Sequence, residues 1–155
     1  MLDPVKRSAR SKTRQVAALP WMMDDEGLKI LMITSRETRR WVIPKGGRMS
    51  GKTDAEAAAT EALEEAGVLG EIAPTPIGKF RYTKVVSPSD NRPCVVSVFP
   101  LRVSIQLGDW AEADQRDRLW MSCEDAARAV HEPDLAALIM TFGRVGHRAD
   151  ERSDE

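Results

Sequence analysis

Three glutamates, Glu61, Glu64 and Glu65, and the glycine pair Gly46-Gly47 upstream of them are the residues of this chain best suited to chemistry. At about 100° per residue on a helix, the three carboxylates fall within roughly 100° of one another, near the helix C-terminus. Like charges so placed repel, and the negative end of the helix dipole disfavours them further. A divalent cation removes both costs. Hard oxygen donors suit Mg²⁺, with Mn²⁺ as the alternative, and Mg²⁺ bridges carboxylates to substrate phosphates, so the chemistry indicated is phosphoryl transfer. The competing interpretation makes the glutamates the wetted face of an alanine-rich helix.

The helix that must carry them is marked at both ends. Thr53 and Glu56 have the spacing of a capping box, and Gly67 stands where a C-terminal cap belongs, which predicts a helix over 53–66. Its other side, Ala59, Leu63 and Ala66, is expected to pack on a sheet, with Ala57 and Ala58 on the glutamate side. Upstream, 15–23 and 28–34 read as strands joined by Asp24-Asp25-Glu26-Gly27, and 41–43 as a short strand stopped by Pro44 and the glycine pair. Downstream, 71–83 and 94–103 read as a long hairpin with Pro88, Asp90, Asn91 and Pro93 in its loop. Ser122 and Asp125 open a helix to about residue 131, and Pro133 begins a last helix through Phe142, ended by Gly143. This interleaving predicts an α/β fold, a mixed sheet covered by helices. Flexible tails are expected at 1–12 (basic) and 147–155 (charged), around one domain at 13–146.

Composition narrows the function. At 155 residues the chain has room for one ordinary domain, and 42% hydrophobic with 30% charged residues is a globular balance. No apolar run approaches a membrane span, and no apolar segment follows the basic N-terminus, so no membrane partner and no secretion are expected. Cys94 and Cys123 are too few and too far apart for a metal knuckle or redox pair, which suits a reducing cytoplasm. A net charge of −1 argues against nonspecific nucleic-acid binding. Positive charge does gather around the glycine loop, in Arg36, Arg39, Arg40, Lys45, Arg48 and Lys52. The partner expected is a small polyphosphorylated molecule, bound by a monomer or homodimer.

Taken with its loop, the stretch 46–68 resembles the Nudix box, G-x5-E-x7-R-E-U-x-E-E-x-G-U. Gly46, Glu61, Glu64, Glu65, Gly67 and Val68 stand in register, and Ala62 is an undersized match to an aliphatic position. Lys52 replaces the first glutamate and Thr60 the arginine, two residues that in the family pair with each other and help orient the catalytic glutamate. Ser35-Arg36, the run Arg40-Trp41-Val42-Ile43-Pro44-Lys45-Gly46-Gly47, and Arg118-Leu119-Trp120 resemble the diphosphoinositol polyphosphate phosphohydrolase branch.

The resemblance implies an α/β/α sandwich with a mixed β-sheet. It implies diphosphate hydrolysis with Mg²⁺ held by Glu61, Glu64, Glu65 and the Gly46 carbonyl, with the general base left open among the three glutamates. Arg14, Ser35, Arg36, Arg40, Lys45, Gly46, Gly47 and Arg118 are then expected to contact phosphates, and the substrate to be a diphosphoinositol or diadenosine polyphosphate. Glu132 stands where the branch often has a basic residue. Two alternatives stay open: a phosphate-binding sensor with weak catalysis, and a nucleoside-triphosphate or RNA-cap hydrolase, for which Trp21, Trp41, Phe80, Tyr82, Phe99, Trp110 and Trp120 supply candidate base platforms, Tyr82 being compatible with a dinucleoside polyphosphate and equally with a plain strand residue.

Overall fold

A computed structural model describes the backbone of residues 13–154 and the side chains of 13–145. The expected tail at 1–12 lies outside the described residues. The strands are β1 (Thr13–Asp24), β2 (Gly27–Thr34), β3 (Trp41–Val42), β4 (Lys45–Gly47), β5 (Val68–Ile72), β6 (Gly78–Ser87), β7 (Asp90–Gln106) and β8 (Arg118–Ser122). They form one mixed sheet in the order β3-β2-β1-β7-β5, with β4 added to β1, β6 to β7 and β8 to β2. β1 runs parallel to β7, from Thr13 opposite Cys94 to Trp21 opposite Arg102, and its far end folds back antiparallel on β2. The expected hairpin turn is present, with Gly27 at φ 118°, a conformation glycine adopts without a Cβ penalty.

Alternation along the strands divides the core in two. Ala17, Leu19, Ile30 and Met32 face one side and pack with α2 (Cys123–Ala129) and α3 (Pro133–Asp154) through Ala126, Leu135, Ile139 and Phe142. Val16, Ala18, Leu31 and Ile33 face the other and pack with α1 (Asp54–Glu61) and the turn after it through Ala55, Ala57, Ala58, Ala62 and Ala66. Helices on both faces of a mixed sheet make the α/β sandwich that the motif implied. No helix of the described residues is long and apolar enough to cross a membrane.

Three elements differ from the sequence-based expectation. The strand read over 71–83 is two, because Pro74 and Pro76 cannot donate to a ladder; β5 pairs with β7 up to Ile72 opposite Leu101, and β6 resumes at Gly78 opposite Val98. Pro100 of β7 sits at the gap between those two pairings. The loop at the tip of the long hairpin is tighter than expected: pairing continues to Ser87 opposite Asp90, so Asn91 and Pro93 belong to β7. Finally, α3 runs past Gly143 to Asp154, through residues expected to be a tail. Gly143 serves packing here and does not end the helix, since a Cβ there would lie 3.0 Å from Cys123 Sγ.

Candidate active site

The capping box holds as predicted: Thr53 Oγ1 accepts from the Glu56 amide at 3.1 Å, and Glu56 Oε1 from the Thr53 amide at 2.8 Å. The helix does not stay α throughout. Ala62–Ala66 forms a π-helical turn closed by Gly67 at φ 68°. Such turns add a residue to the helical circuit and recur at functional sites.

The orientation of this helix corrects the sequence reading. Ala55, Ala57, Ala58, Ala62 and Ala66 are its buried alanines, while Ala59 and Leu63 are only half-buried. Glu61 and Glu65 belong to the inward stripe, each 9% exposed, whereas Glu64 is exposed. The spacing 58, 61, 62, 65 is one helical face, and its two glutamates are aimed at the loop carrying β4. The three expected metal ligands therefore do not converge. Among the described residues no three acidic, histidine or cysteine side chains gather in a metal-holding group. Glu61 and Glu65 lie inward together, and Glu64 points to solvent.

The inward pair is tightly built. Glu61 and Glu65 are close enough that each shifts the other's carboxyl. Lys45 donates its amide to Glu65 Oε1 at 3.1 Å. At Gly46 any Cβ would collide with the Glu61 carboxylate, which is why the loop needs glycine there. Burial pushes the Glu65 carboxyl up to about 8, opposed by Arg116 and reinforced by Glu61. The Glu61 carboxyl is raised as well, chiefly by burial.

A strap over residues 107–118 covers the C-terminal end of the helix. Its carbonyls receive donors in succession: the Glu112 amide on Glu64 O at 3.2 Å, Trp110 Nε1 on Glu65 O at 3.0 Å, and Arg118 NH1 on Ala66 O at 2.8 Å. Arg118 also donates to Leu107 O and lies 3.8 Å over the Trp110 ring. These satisfy carbonyls that a helix end leaves unpaired. Gly67→Ala is expected to lose about 1–3 kcal/mol of stability in denaturant unfolding, since it forces φ 68° on an alanine and sets a Cβ 2.8 Å from Trp110.

Above the pair opens a cleft of about 720 Å³ lined by Ser35, Arg36, Lys45, Gly46, Gly47 and Glu65 from the expected set, together with Gln15, Thr38, Tyr82, Lys84 and Arg116. Two of the expected phosphate contacts are elsewhere. Arg14 is exposed and follows the opposite strand face from Gln15, its neighbour in the cleft wall. The Arg118 guanidinium is committed to the helix carbonyls. Arg40 reaches a recess of about 70 Å³ beside the cleft, with Glu132 on its wall.

Gln15, Lys84 and Arg116 escaped the sequence reading of the site, and Tyr82 entered it only as a candidate platform for a base. Tyr82 and Lys84 follow the buried Phe80 at alternate positions of β6, a signal that could have placed both on one face. Tyr82 donates to Gln15 Oε1 at 2.7 Å, and the Lys45 ammonium lies 4.6 Å over its ring. Burial lowers the Lys45 pKa, against the pull of Glu65 and Glu132. The two departures from the box motif touch each other: Lys52 Nζ donates to Thr60 Oγ1 at 2.8 Å. The loop-to-helix tie survives with other chemistry.

Together these features define an α/β domain with a buried carboxyl pair beneath a cleft rimmed by cations. The NUDIX domain model matches residues 12–142, and the chain belongs to that family. It is 35% identical over 128 residues to Nudix hydrolase 12, mitochondrial, of Arabidopsis thaliana, across 81% of this chain and 62% of that protein, so it spans only about three fifths of that relative. It is 31% identical over 124 residues to diphosphoinositol polyphosphate phosphohydrolase 3-alpha of Mus musculus, covering 77% of this chain and 71% of that protein. The structure of C. elegans Ap4A hydrolase superposes with a TM-score of 0.61 at 15% identity, over 87% of this chain and 98% of that one, a likeness of fold.

Proposed function

We propose that the chain hydrolyses a phosphoric anhydride bond in a small, multiply phosphorylated molecule of the diphosphoinositol or diadenosine polyphosphate type, with Mg²⁺ or Mn²⁺. The observation that carries this is the buried Glu61–Glu65 pair at the edge of a cleft bearing Arg36, Lys45, Lys84 and Arg116. The residues fit a hard divalent ion: two neighbouring buried carboxylates offer oxygen donors, and the glycine loop and the helix hold both in place. Glu61 and Glu65 would hold the ion. When bound it would neutralise diphosphate charge and acidify water.

The chain's own residues supply the rest. Cations on the cleft wall hold the flanking phosphates, and a carboxylate of the pair takes the proton of the attacking water. Lys45 lies over one face of the Tyr82 ring, leaving it poorly available for stacking a base, which favours the diphosphoinositol type over ligands that carry a base. A cytoplasmic location is part of the proposal, two buried free thiols being compatible with a reducing compartment.

The test is phosphate release from diphosphoinositol polyphosphates, diadenosine polyphosphates, inorganic polyphosphate, ADP-ribose and nucleoside triphosphates, with either metal and with Glu65→Gln as control. Release that needs metal and Glu65 is the expected result. Ligand binding without turnover across the panel would replace the enzyme with a phosphate sensor.

A further inference from the structure

The recess beside the cleft has a chemistry of its own. Ser35, Lys45 and Tyr82 line both spaces, whereas Phe80, Leu135 and Glu132 belong to the recess. Phe80 and Leu135 are buried and make its floor apolar. Glu132 is half-buried, and its carboxylate makes no hydrogen bond and no ion pair among the described residues. The polar groups around it are engaged elsewhere. Tyr82 donates to Gln15, Arg40 Nε to Thr38 Oγ1 at 3.3 Å, and the Lys45 ammonium lies over the Tyr82 ring. Nor does the start of α3 need this carboxylate, since Asp134 serves there, accepting from the Arg81 amide at 2.9 Å and the Leu135 amide at 3.1 Å. Its charge is felt inside the recess all the same: burial lowers the Lys45 pKa, and Glu132 is one of the two carboxylates that oppose this.

We propose that this recess is a hydroxyl-binding subsite, in which Glu132 selects a substrate that presents adjacent unphosphorylated hydroxyls and turns a phosphate away. This rests on the cleft binding phosphates, and it narrows the substrate to a diphosphate of a polyol that keeps a free vicinal diol. A half-buried carboxylate without a donor is costly, and hydroxyls repair that: an adjacent pair can donate to both carboxylate oxygens while a lone pair accepts from Lys45. By the same logic a carboxylate reads a ribose hydroxyl in dinucleotide sites, where a cation would read a phosphate. A phosphate in the recess would bring a like charge beside Glu132 and rest on an apolar floor, leaving the carboxylate still without a donor. Size agrees with charge. A recess of about 70 Å³ holds roughly two waters' worth of volume, enough for two hydroxyls on one ring edge and too little for a purine.

The probes are two isomeric inositol tetrakisphosphates of equal charge, one with its free hydroxyls on adjacent carbons and the other with them on opposite carbons. Both are titrated calorimetrically at one Mg²⁺ concentration and ionic strength, into protein whose fold is checked by circular dichroism and Tm. The wild type is expected to bind the adjacent isomer at least about fivefold more tightly. Glu132→Ala should bring the two isomers within about twofold of each other while keeping the wild-type Tm, because the carboxylate holds nothing in the fold. Glu132→Lys should tighten Kd for inositol hexakisphosphate, which has no free hydroxyl, by at least about tenfold. Glu37→Lys makes the same charge change on the cleft wall outside the recess and should gain clearly less. Equal affinity of the two isomers in the wild type, a preference that survives Glu132→Ala, an equal gain in Glu37→Lys, or binding of neither isomer would each overturn the subsite. With the preference erased in Glu132→Ala, a parallel loss of ADP-ribose affinity assigns the diol to a ribose, and unchanged ADP-ribose affinity assigns it to a cyclitol. An isomer preference in a protein that turns over nothing on the substrate panel would remove the hydrolase reading and leave the subsite standing; turnover without the preference would do the reverse.

Discussion

Glu65→Gln is expected to abolish metal-dependent hydrolysis, by at least about 10²-fold, and at the same time to stabilise the metal-free protein in alkali. Two carboxyls in contact and out of water cannot both ionise cheaply. In the folded chain burial lifts the Glu65 carboxyl to about 8, against an ordinary value of 4.5. The folded state therefore holds a proton that the unfolded state has released between those values. Stability from that proton is complete below about pH 4.5, declines as pH rises, and is gone above about 8. Because the two carboxyls titrate as a unit, the loss belongs to the pair. The glutamine variant has no proton at residue 65 to lose and keeps only that of Glu61, whose carboxyl burial also raises. In EDTA its Tm should be flatter between pH 5 and 9, and at pH 9 its unfolding free energy should exceed that of the wild type by at least about 1 kcal/mol, the worth of one pKa unit. A variant with wild-type turnover, or a wild type whose metal-free Tm is level across that range, would contradict the pair as described. Mg²⁺ added near pH 7 should displace the Glu65 proton and restore the alkaline stability of the wild type alone.

The legibility of this site in the sequence divided along physical lines. Caps announce themselves locally: Thr53, Glu56 and Gly67 name both ends of the helix because their hydrogen bonds lie within one turn. The loop-helix register from Gly46 to Glu65 was likewise readable, since both partners lie in one continuous stretch. Which side of the helix faces in was not. Alanines occupy nearly every side, and two of the inward positions are glutamates, so an apolar stripe pointed the wrong way. The π turn compounded this, because a uniform 100° step does not describe residues 62–66.

Arg116 and Arg118 illustrate the second limit. Two residues apart on the same strap, one lines the cleft and the other closes a helix end, and their spacing carries no period that separates them. Tertiary contacts with Thr34, Glu112 and Trp110 decide, and each is distant in sequence or lies in irregular structure. The hairpin tip and the end of α3 failed for the opposite reason: prolines and a glycine were taken at their local meaning. Pro93 is tolerated just before the residue where pairing with β1 begins, and Gly143 makes room for Cys123.

Gly46→Ala should separate the placing of the glutamates from the stability of the fold. The backbone at Gly46 does not use positive φ, so alanine meets no conformational penalty there. Its pairing with Val16 in the sheet is also untouched. What changes is space: the new methyl would overlap the Glu61 carboxylate, which must leave its position beside the loop. A displacement of about 1 Å in a catalytic group can cost roughly 10²-fold. The expected result is a folded protein, lower in stability by no more than about 1–3 kcal/mol for the strain, with turnover reduced by about that factor and weaker metal binding measured without substrate. Glu61→Asp in the same background shortens the side chain by one methylene and should recover part of the lost stability by relieving the overlap. Wild-type turnover and metal affinity in Gly46→Ala would mean that Glu61 works from another position, and the pair would then have to be assigned to Glu65 with Glu64.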